Sequence, residues 1–339
     1  MTEPRIVKLC LLGFGNVARE FCLLAESKRE ALAADGLQVL VSAAGTRHAS
    51  FLEPRGVTPG RLLELASGRL PSAPLPAGEL MERSGADVLV EATVMEDGGA
   101  PVAGGHIETA FSLGMDAITV NKGPVAWQFA RLQELADRLG RRWRYEGTVA
   151  DGMPVFGLLE FCLRHCDVRG FHAIFNATTN FIIEAVGEGR DFADALAQVQ
   201  AEGYAEADPS HDIDGVDAAC KTAALANVAM RAGITPDDIP KESIRGLTPE
   251  RVRAAAANGF KLCVLCSAAR RPDGSVEAAV RLSEIPLDHP LAPVKGSSLG
   301  VVLHTDLMAD VVVAEMAALV PQTAYAVYAD LLALRAPAG

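Results

Sequence analysis

No stretch of about 18 uncharged apolar residues occurs in this sequence, so none of it reads as a membrane span. The densest apolar region, Val311 to Leu334, is interrupted by Glu315 and Asp330. A secretory leader is not expected either. Glu3 stands near the start, and the short apolar run that follows feeds straight into a glycine turn. Basic residues are scarce beside acidic ones: 31 Lys and Arg against 43 Asp and Glu in 339 residues, a net charge of −12. Nucleic acid and membrane surfaces are polyanions and would be repelled, which leaves room only for a local basic pocket. The seven cysteines are odd in number and scattered, so a reducing, cytoplasmic setting is expected. Cys263 and Cys266 have the spacing of half a zinc site, but no second ligand pair follows. The run Phe260 to Cys266 reads instead as a buried strand. Internal repeats, low-complexity segments and coiled-coil heptads are also missing.

Half of the residues are hydrophobic. At about 150 residues per domain this length suggests two domains, each with a real core. The first ~145 residues alternate strand and helix. Arg5 to Leu12 is a short apolar strand, Gly13 to Ala18 a turn, Val17 to Leu32 a helix, and Leu37 to Ala44 a second strand. The pattern continues through a helix and loop over 56–78, strands near Val88 and Ala117, helices over 105–113 and 124–139, and a strand end at Trp143. Such alternation predicts a doubly wound parallel sheet.

The turn Gly13-Phe-Gly15-Asn-Val-Ala18 fits G-x-G-x-x-G/A between strand and helix. Gly13 permits the tight turn, Gly15 lets a pyrophosphate approach the backbone, and Ala18 lets the helix pack closely. Gly13, Phe14, Gly15, Asn16 and Val17 are therefore the expected dinucleotide cradle, at a helix N-terminus whose free N–H groups favour an anion. The second strand ends without the acid that binds the ribose of NAD. Arg47 stands there, flanked by Thr46 and His48. It is either a ligand for the 2′-phosphate of NADP or a solvated loop arginine.

After residue 145 the alternation breaks down. Strands over 168–176, 261–268 and 275–282 and helices over 192–202 and 216–231 suggest an α+β domain, and Thr323 to Leu334 reads as an amphipathic helix. The most informative stretch runs from Gly203 to Lys221. Glu206, Asp208, Asp212, Asp214 and Asp217 crowd into it, and their mutual repulsion calls for a cationic partner. Asp217 and Lys221 are spaced i, i+4 on one face of an alanine-rich helix. If exposed, the pair is worth only about 0.3–0.5 kcal/mol. The helix, however, is apolar nearly all round, which implies burial, and a buried pair points to chemistry. Asp212-Ile-Asp214-Gly215 resembles half of a calcium loop, but the later bidentate glutamate is absent. His106, His165, His172 and His289 show no ligand spacing. His304 reads as a helix cap in preference to a residue near the cofactor, and Trp127 and Trp143 read as packing residues.

On these residues the chain resembles homoserine dehydrogenase along nearly its whole length. The family's form G-Y-x-E-x-D-P, then D-x-x-G-x-D-x-x-x-K, is matched by Gly203-Tyr204, Glu206, Asp208-Pro209, Asp212, Gly215, Asp217 and Lys221. Thr119-Val-Asn121-Lys122 resembles T-A-N-K, Glu146 to Pro154 resembles E-x-x-V-x-x-G-x-P, and Asn176 to Asn180 resembles N-G-T-T-N. The resemblance implies interconversion of L-homoserine and L-aspartate 4-semialdehyde with NAD or NADP, and the missing acid and Arg47 favour the latter. Lys221 would move the proton, Lys122 would lie close to the reacting end and the cofactor, and Asp217 would position Lys221. Glu206 and Asp212 would bind the substrate amino group, and Tyr204, Ala177 and Thr178 would line the pocket. Thr93 would join the cofactor ligands. Glu146, Val149, Asp151 and Met153 would hold a monovalent cation such as sodium. An unperturbed lysine, with a pKa of about 10.4, is a poor base near neutral pH. Burial or a neighbouring cation favours its neutral form.

The implied architecture is a Rossmann domain over residues 1–148, completed by 305–339. A substrate-binding and dimerisation domain fills 149–304, with the active site in the cleft between them. A homodimer is implied, and with no kinase or regulatory segment seen, feedback inhibition through such a segment is not expected. Three places depart from the family pattern: Thr93-Val-Met-Glu-Asp97, Ala177, and Ala318 to Gln322, where glycines are missing. They bear on the substrate and keep two alternatives open. One is a dehydrogenase of another small hydroxy-amino acid or hydroxy acid. The other is a non-catalytic nucleotide-binding regulator.

Overall fold

The computed structural model describes residues 4–96, 98–202, 205 and 208–335. Among these, six strands form the first sheet: β1 (Arg5–Leu12), β2 (Leu37–Gly45), β3 (Ser50–Val57), β4 (Val88–Glu91), β5 (Asp116–Thr119) and β6 (Trp143–Arg144), in the order β3-β2-β1-β4-β5-β6. All neighbours are parallel except β2 and β3. The central strands are continuous apolar runs because both faces are buried, as a parallel sheet demands. Leu9, Leu11, Val88 and Val90 are essentially inaccessible.

β3 escapes the sequence reading because Pro54 and Gly56 disfavour a strand. It is tolerated at the sheet edge, where a missing backbone donor costs little. The helices Pro59–Leu65 and Ala77–Ser84 follow it. The first helix stops at Ser27, and a second, Arg29–Ala34, follows. The last helix, Val320–Arg335, contributes Ala324, Val327, Leu331 and Leu334 to the same core as Phe21 and Val41.

The chain divides into two compact units, Met1–Gly152 with Val320–Gly339, and Met153–Leu319. The stretch 305–319, assigned to the first unit on sequence, therefore belongs to the second, and 149–152, assigned to the second, belongs to the first. Its sheet contains β7 (Val168–Ile174), β8 (Phe260–Arg270), β9 (Val276–Pro286), β10 (Leu299–Thr305) and β11 (Asp310–Glu315). They are ordered β11-β10-β7-β8-β9, antiparallel throughout. The helix Val216–Met230 packs on β8 and β9. Cys263 and Cys266 sit in β8 with their thiols pushed up to about 12 and about 11 by burial. They behave as core residues.

His304 caps no helix. It lies on β10, with Nδ1 2.7 Å from Asp310 Oδ1 and Nε2 3.4 Å from His172 Nδ1. His289 stands close by, its ring centroid 5.9 Å from that of His172. Burial, then the neighbouring histidines, lowers the pKa of His172; His289 is lowered for the same reasons, with Asp288 and Asp310 acting in the opposite direction. The unfolded chain therefore takes up these protons first as pH falls. The stabilisation is complete above about pH 6.5 and is lost as pH drops through that value toward the lower folded pKa. We expect the melting temperature to fall between pH 7.5 and pH 5.5 and the slope to flatten in His172→Asn. An unchanged slope in that variant would refute the assignment.

Candidate active site

In the second unit the site is built on three segments. Gly215, at φ 76°, turns the chain into the helix Val216–Met230. Ala218, Ala219, Ala223 and Ala224 bury that helix, so Asp217 and Lys221 cannot reach bulk water freely. Lys221 Nζ lies 3.1 Å from Asp217 Oδ2, with the two side chains only 17% and 10% exposed. The ammonium also donates to the Phe175 carbonyl at 2.8 Å. This is a buried pair with a further partner, which a solvated surface pair would not need.

Asn176 completes the arrangement. Its Nδ2 donates to Asp212 Oδ1 at 2.7 Å and to Asp217 Oδ2 at 3.0 Å. Its Oδ1 accepts the Thr179 N–H at 2.8 Å and so caps the helix Ala177–Gly187. One buried amide thus starts a helix and bridges two carboxylates. Burial and the nearby Asp217 push the Asp212 carboxyl upward, while Asn176, Lys221 and Thr178 restrain it. Such a pair of acids suits a cationic group. Thr178 is buried and Ala177 half-buried at the same helix start. Ala177 takes an ordinary helical conformation, so alanine replaces the family's glycine there without strain. Asp214 is engaged elsewhere, bonded to Arg245 at 2.7 and 2.8 Å and to Ser243 at 2.7 Å. The calcium-loop reading therefore loses its second carboxylate. Tyr204 and Glu206 lie outside the described residues.

In the first unit β1 delivers Gly13 at φ 88°. A Cβ there would stand 2.2 Å from the Ala92 carbonyl oxygen and 2.7 Å from Thr93 N. Gly15 caps the helix Asn16–Ser27 with no side-chain bond, and a Cβ on it would meet nothing within 4 Å. The first N–H groups of that helix therefore face open space beside an exposed glycine and Asn16. This cradle fits a pyrophosphate. The Phe14 ring is buried, with the Arg19 guanidinium 4.8 Å from its centroid, so the ring is closed to a ligand.

Thr93 is tied to this region. Asn121 Nδ2 donates to its carbonyl at 3.2 Å, and Asn121 Oδ1 caps the helix Lys122–Leu139 through Gly123 N–H at 3.0 Å. Thr93 and Lys122 thus share a support. Arg47 is exposed in the turn between β2 and β3, where Thr46 Oγ1 accepts the His48 and Ala49 N–H groups at 3.2 and 3.0 Å. Arg69 donates to the His48 carbonyl at 2.7 Å and brings a second guanidinium to this turn.

Glu146 and Val149 are buried near the end of the first unit. The Glu146 N–H donates to Asp330 at 2.9 Å, and Asp151, at φ 49°, accepts from Thr323 at 2.9 Å. Met153, also buried, opens the second unit. Among the described residues no group of three or more His, Cys, Asp or Glu could hold a metal ion. One carboxylate with main-chain oxygens is still a donor set that a monovalent cation accepts.

Two residues of this machinery escape sequence reasoning: Asn176 as the carboxylate bridge and Asn121 as the Thr93 support. Both sit in family motifs, and that is the only signal that could have flagged them.

The sequence model of the homoserine dehydrogenase family matches residues 154–332. An NAD(+)-dependent homoserine dehydrogenase from Pseudomonas canavaninivorans is 32% identical over 98% of this chain and 96% of its own. The solved structure of a homoserine dehydrogenase from Thiobacillus denitrificans has a TM-score of 0.84 at 27% identity, over 98% of this chain and 74% of that one. A hyperthermophilic archaeal homoserine dehydrogenase, solved in complex with NADPH, shares the fold. Its TM-score is 0.83 at 24% identity, over 98% of this chain and 99% of that one.

Proposed function

The chain belongs to the homoserine dehydrogenase family, and on that premise we propose how its own residues carry the NAD(P)-dependent interconversion of L-homoserine and L-aspartate 4-semialdehyde. This reaction serves threonine and methionine biosynthesis. The observation that carries the reading is the buried Lys221–Asp217 pair, joined through Asn176 to Asp212. A hydroxyl can lose its proton only to a base within hydrogen-bond reach. Lys221, acting as the neutral amine, is the group that takes it, and the ammonium so formed is held by Asp217 and the Phe175 carbonyl, which fix the direction of Nζ. Asp212, with Glu206, receives the substrate ammonium, while Thr178 and Ala177 border the pocket with Tyr204.

A nicotinamide dinucleotide, when bound, supplies the hydride acceptor. Gly13 to Val17 would hold its pyrophosphate, and Thr93 and Lys122 would border its reactive end. NADP is our preferred form, supported by Arg47, by Arg69 beside it and by the absence of an acid at the end of β2. The Pseudomonas relative is NAD(+)-dependent, and Arg47 is the residue whose substitution separates the two cofactors. Arg47→Ala is expected to lower the ratio of kcat/KM for NADPH over NADH by about tenfold, in line with loss of a charged phosphate contact. An unchanged ratio removes Arg47 from the site.

A monovalent cation at Glu146, Val149, Asp151 and Met153 belongs to the same reading. So does a homodimer, for which exposed Val312 and Met316 offer apolar contact. A cytoplasmic setting agrees with seven free cysteines. The direct test is reduction of NADP⁺ and NAD⁺, followed at 340 nm, with L-homoserine and a panel of other hydroxy-amino acids and hydroxy acids. Turnover confined to another alcohol would move the substrate, and cofactor binding without any turnover would overturn the enzymatic reading.

A further inference from the structure

We propose that Glu91 is a positioning residue for the cofactor end of the site. It sits at the C-terminal end of β4, where ligands gather in sheets of this kind, but its side chain turns inward and is completely buried. A carboxylate at that depth is costly unless its oxygens are used. Here they are. Oε1 accepts the Thr93 N–H at 3.2 Å and the Thr93 hydroxyl, while Oε2 lies 3.3 Å from the Thr119 hydroxyl. His106 Nδ1 is 3.5 Å from Oε1 and, itself buried, has no hydrogen bond.

The donors belong to two segments that carry the site. Thr93 follows Ala92, whose carbonyl oxygen fills the space a Cβ on Gly13 would need. Thr119 accepts the Asn121 N–H at 3.0 Å, and Asn121 both holds the Thr93 carbonyl and starts the Lys122 helix. The bonds close a ring from Glu91 through Thr93, Asn121 and Thr119 back to Glu91. One buried carboxylate therefore sets the depth of the phosphate cradle and the position of Lys122 together. This inference rests on the assignment of Thr93 and Lys122 to the cofactor side.

The test compares Glu91→Ala with Glu91→Gln in the intact protein, by direct titration with NADPH and with NADH and by steady-state kinetics with homoserine. Glutamine can keep its amide oxygen on Thr93 and donate to Thr119, whose hydroxyl then turns to the Asn121 carbonyl, 3.3 Å away. Glu91→Ala should weaken the cofactor Kd by about tenfold through misplacement of the turn, with the KM for homoserine within about twofold. Glu91→Gln should recover to within about threefold of wild type, the scale of one altered hydrogen bond. An unchanged cofactor Kd in Glu91→Ala would overturn the proposal. Equal losses in both variants, or parallel losses of cofactor and homoserine binding, would do the same. If Glu91→Ala does not fold, Thr119→Val removes one anchor alone, and its cofactor Kd must rise for the proposal to stand. Cofactor titration does not depend on which alcohol is oxidised, so a wild type inactive on homoserine would sink the substrate reading and leave this one testable.

Discussion

Lys221→Ala is expected to lower kcat with homoserine by about a thousandfold or more, the upper range for loss of a general base. The cofactor Kd should stay within about twofold of wild type, because the residues assigned to hold the dinucleotide belong to the other unit and Lys221 is not among them. Lys221→Arg is the sharper control, since it restores a cation beside Asp217 but cannot accept a proton near neutral pH. It should remain inactive while recovering much of the stability lost in the alanine variant. That loss is predictable as well. Removing the ammonium leaves Asp217 and the burdened Asp212 with Asn176 as a shared donor. Breaking a buried pair in this way costs about 3 kcal/mol. A melting curve beside the kinetic assay separates the two effects. Near-normal kcat in either variant would take the proton-transfer role away from Lys221.

The second large effect is expected at Gly13. Alanine there would place its Cβ 2.2 Å from a carbonyl oxygen, at a φ of 88°. The left-handed backbone costs roughly 1–2 kcal/mol, and overpacking adds typically 1–3 kcal/mol. Gly13→Ala should therefore lower the melting temperature and weaken cofactor binding about a hundredfold, because the turn itself must move. Gly15→Ala makes the opposite case. Its Cβ meets no protein atom and its φ of −90° suits any residue. Stability should change by less than about 0.5 kcal/mol, while cofactor affinity falls because the methyl stands where the phosphate would approach. A Gly15→Ala protein that binds NADPH and NADH normally would show that the turn is no dinucleotide cradle.

The first sheet was largely legible because parallel strands buried on both faces leave long apolar runs between helices of regular period. What stayed hidden broke that regularity. β3 carries Pro54 and Gly56, tolerable only at an edge that the sequence does not announce. β10, Leu299 to Thr305, opens on five residues without a polar side chain before His304 and Thr305, so alternation could not reveal it. The helix Ala177–Gly187 opens on Thr178 and Thr179, weak helix formers whose start is set by the Asn176 cap. The site was legible where its residues share a helix, as Asp217 and Lys221 do. It was not legible where partners are far apart in sequence: Asn176 lies 41 residues from Asp217, and Glu91 lies 28 from Thr119. The histidines gathered on β7, β10 and the turn at His289 show the same thing, since their spacing along the chain says nothing about their proximity.

The polypeptide leaves the first unit at Gly152 and returns to it at Val320. Ala324, Val327 and Leu331 then pack into a core already holding Phe21 and Leu9. On the ribosome, where domains form as they emerge, that core must wait with one wall open until the residues from Val320 onward have been made. The Lys221 unit, continuous from Met153 to Leu319, can close before the nucleotide-binding half is finished. Synthesis halted before the last helix would yield a substrate unit without a complete cofactor unit.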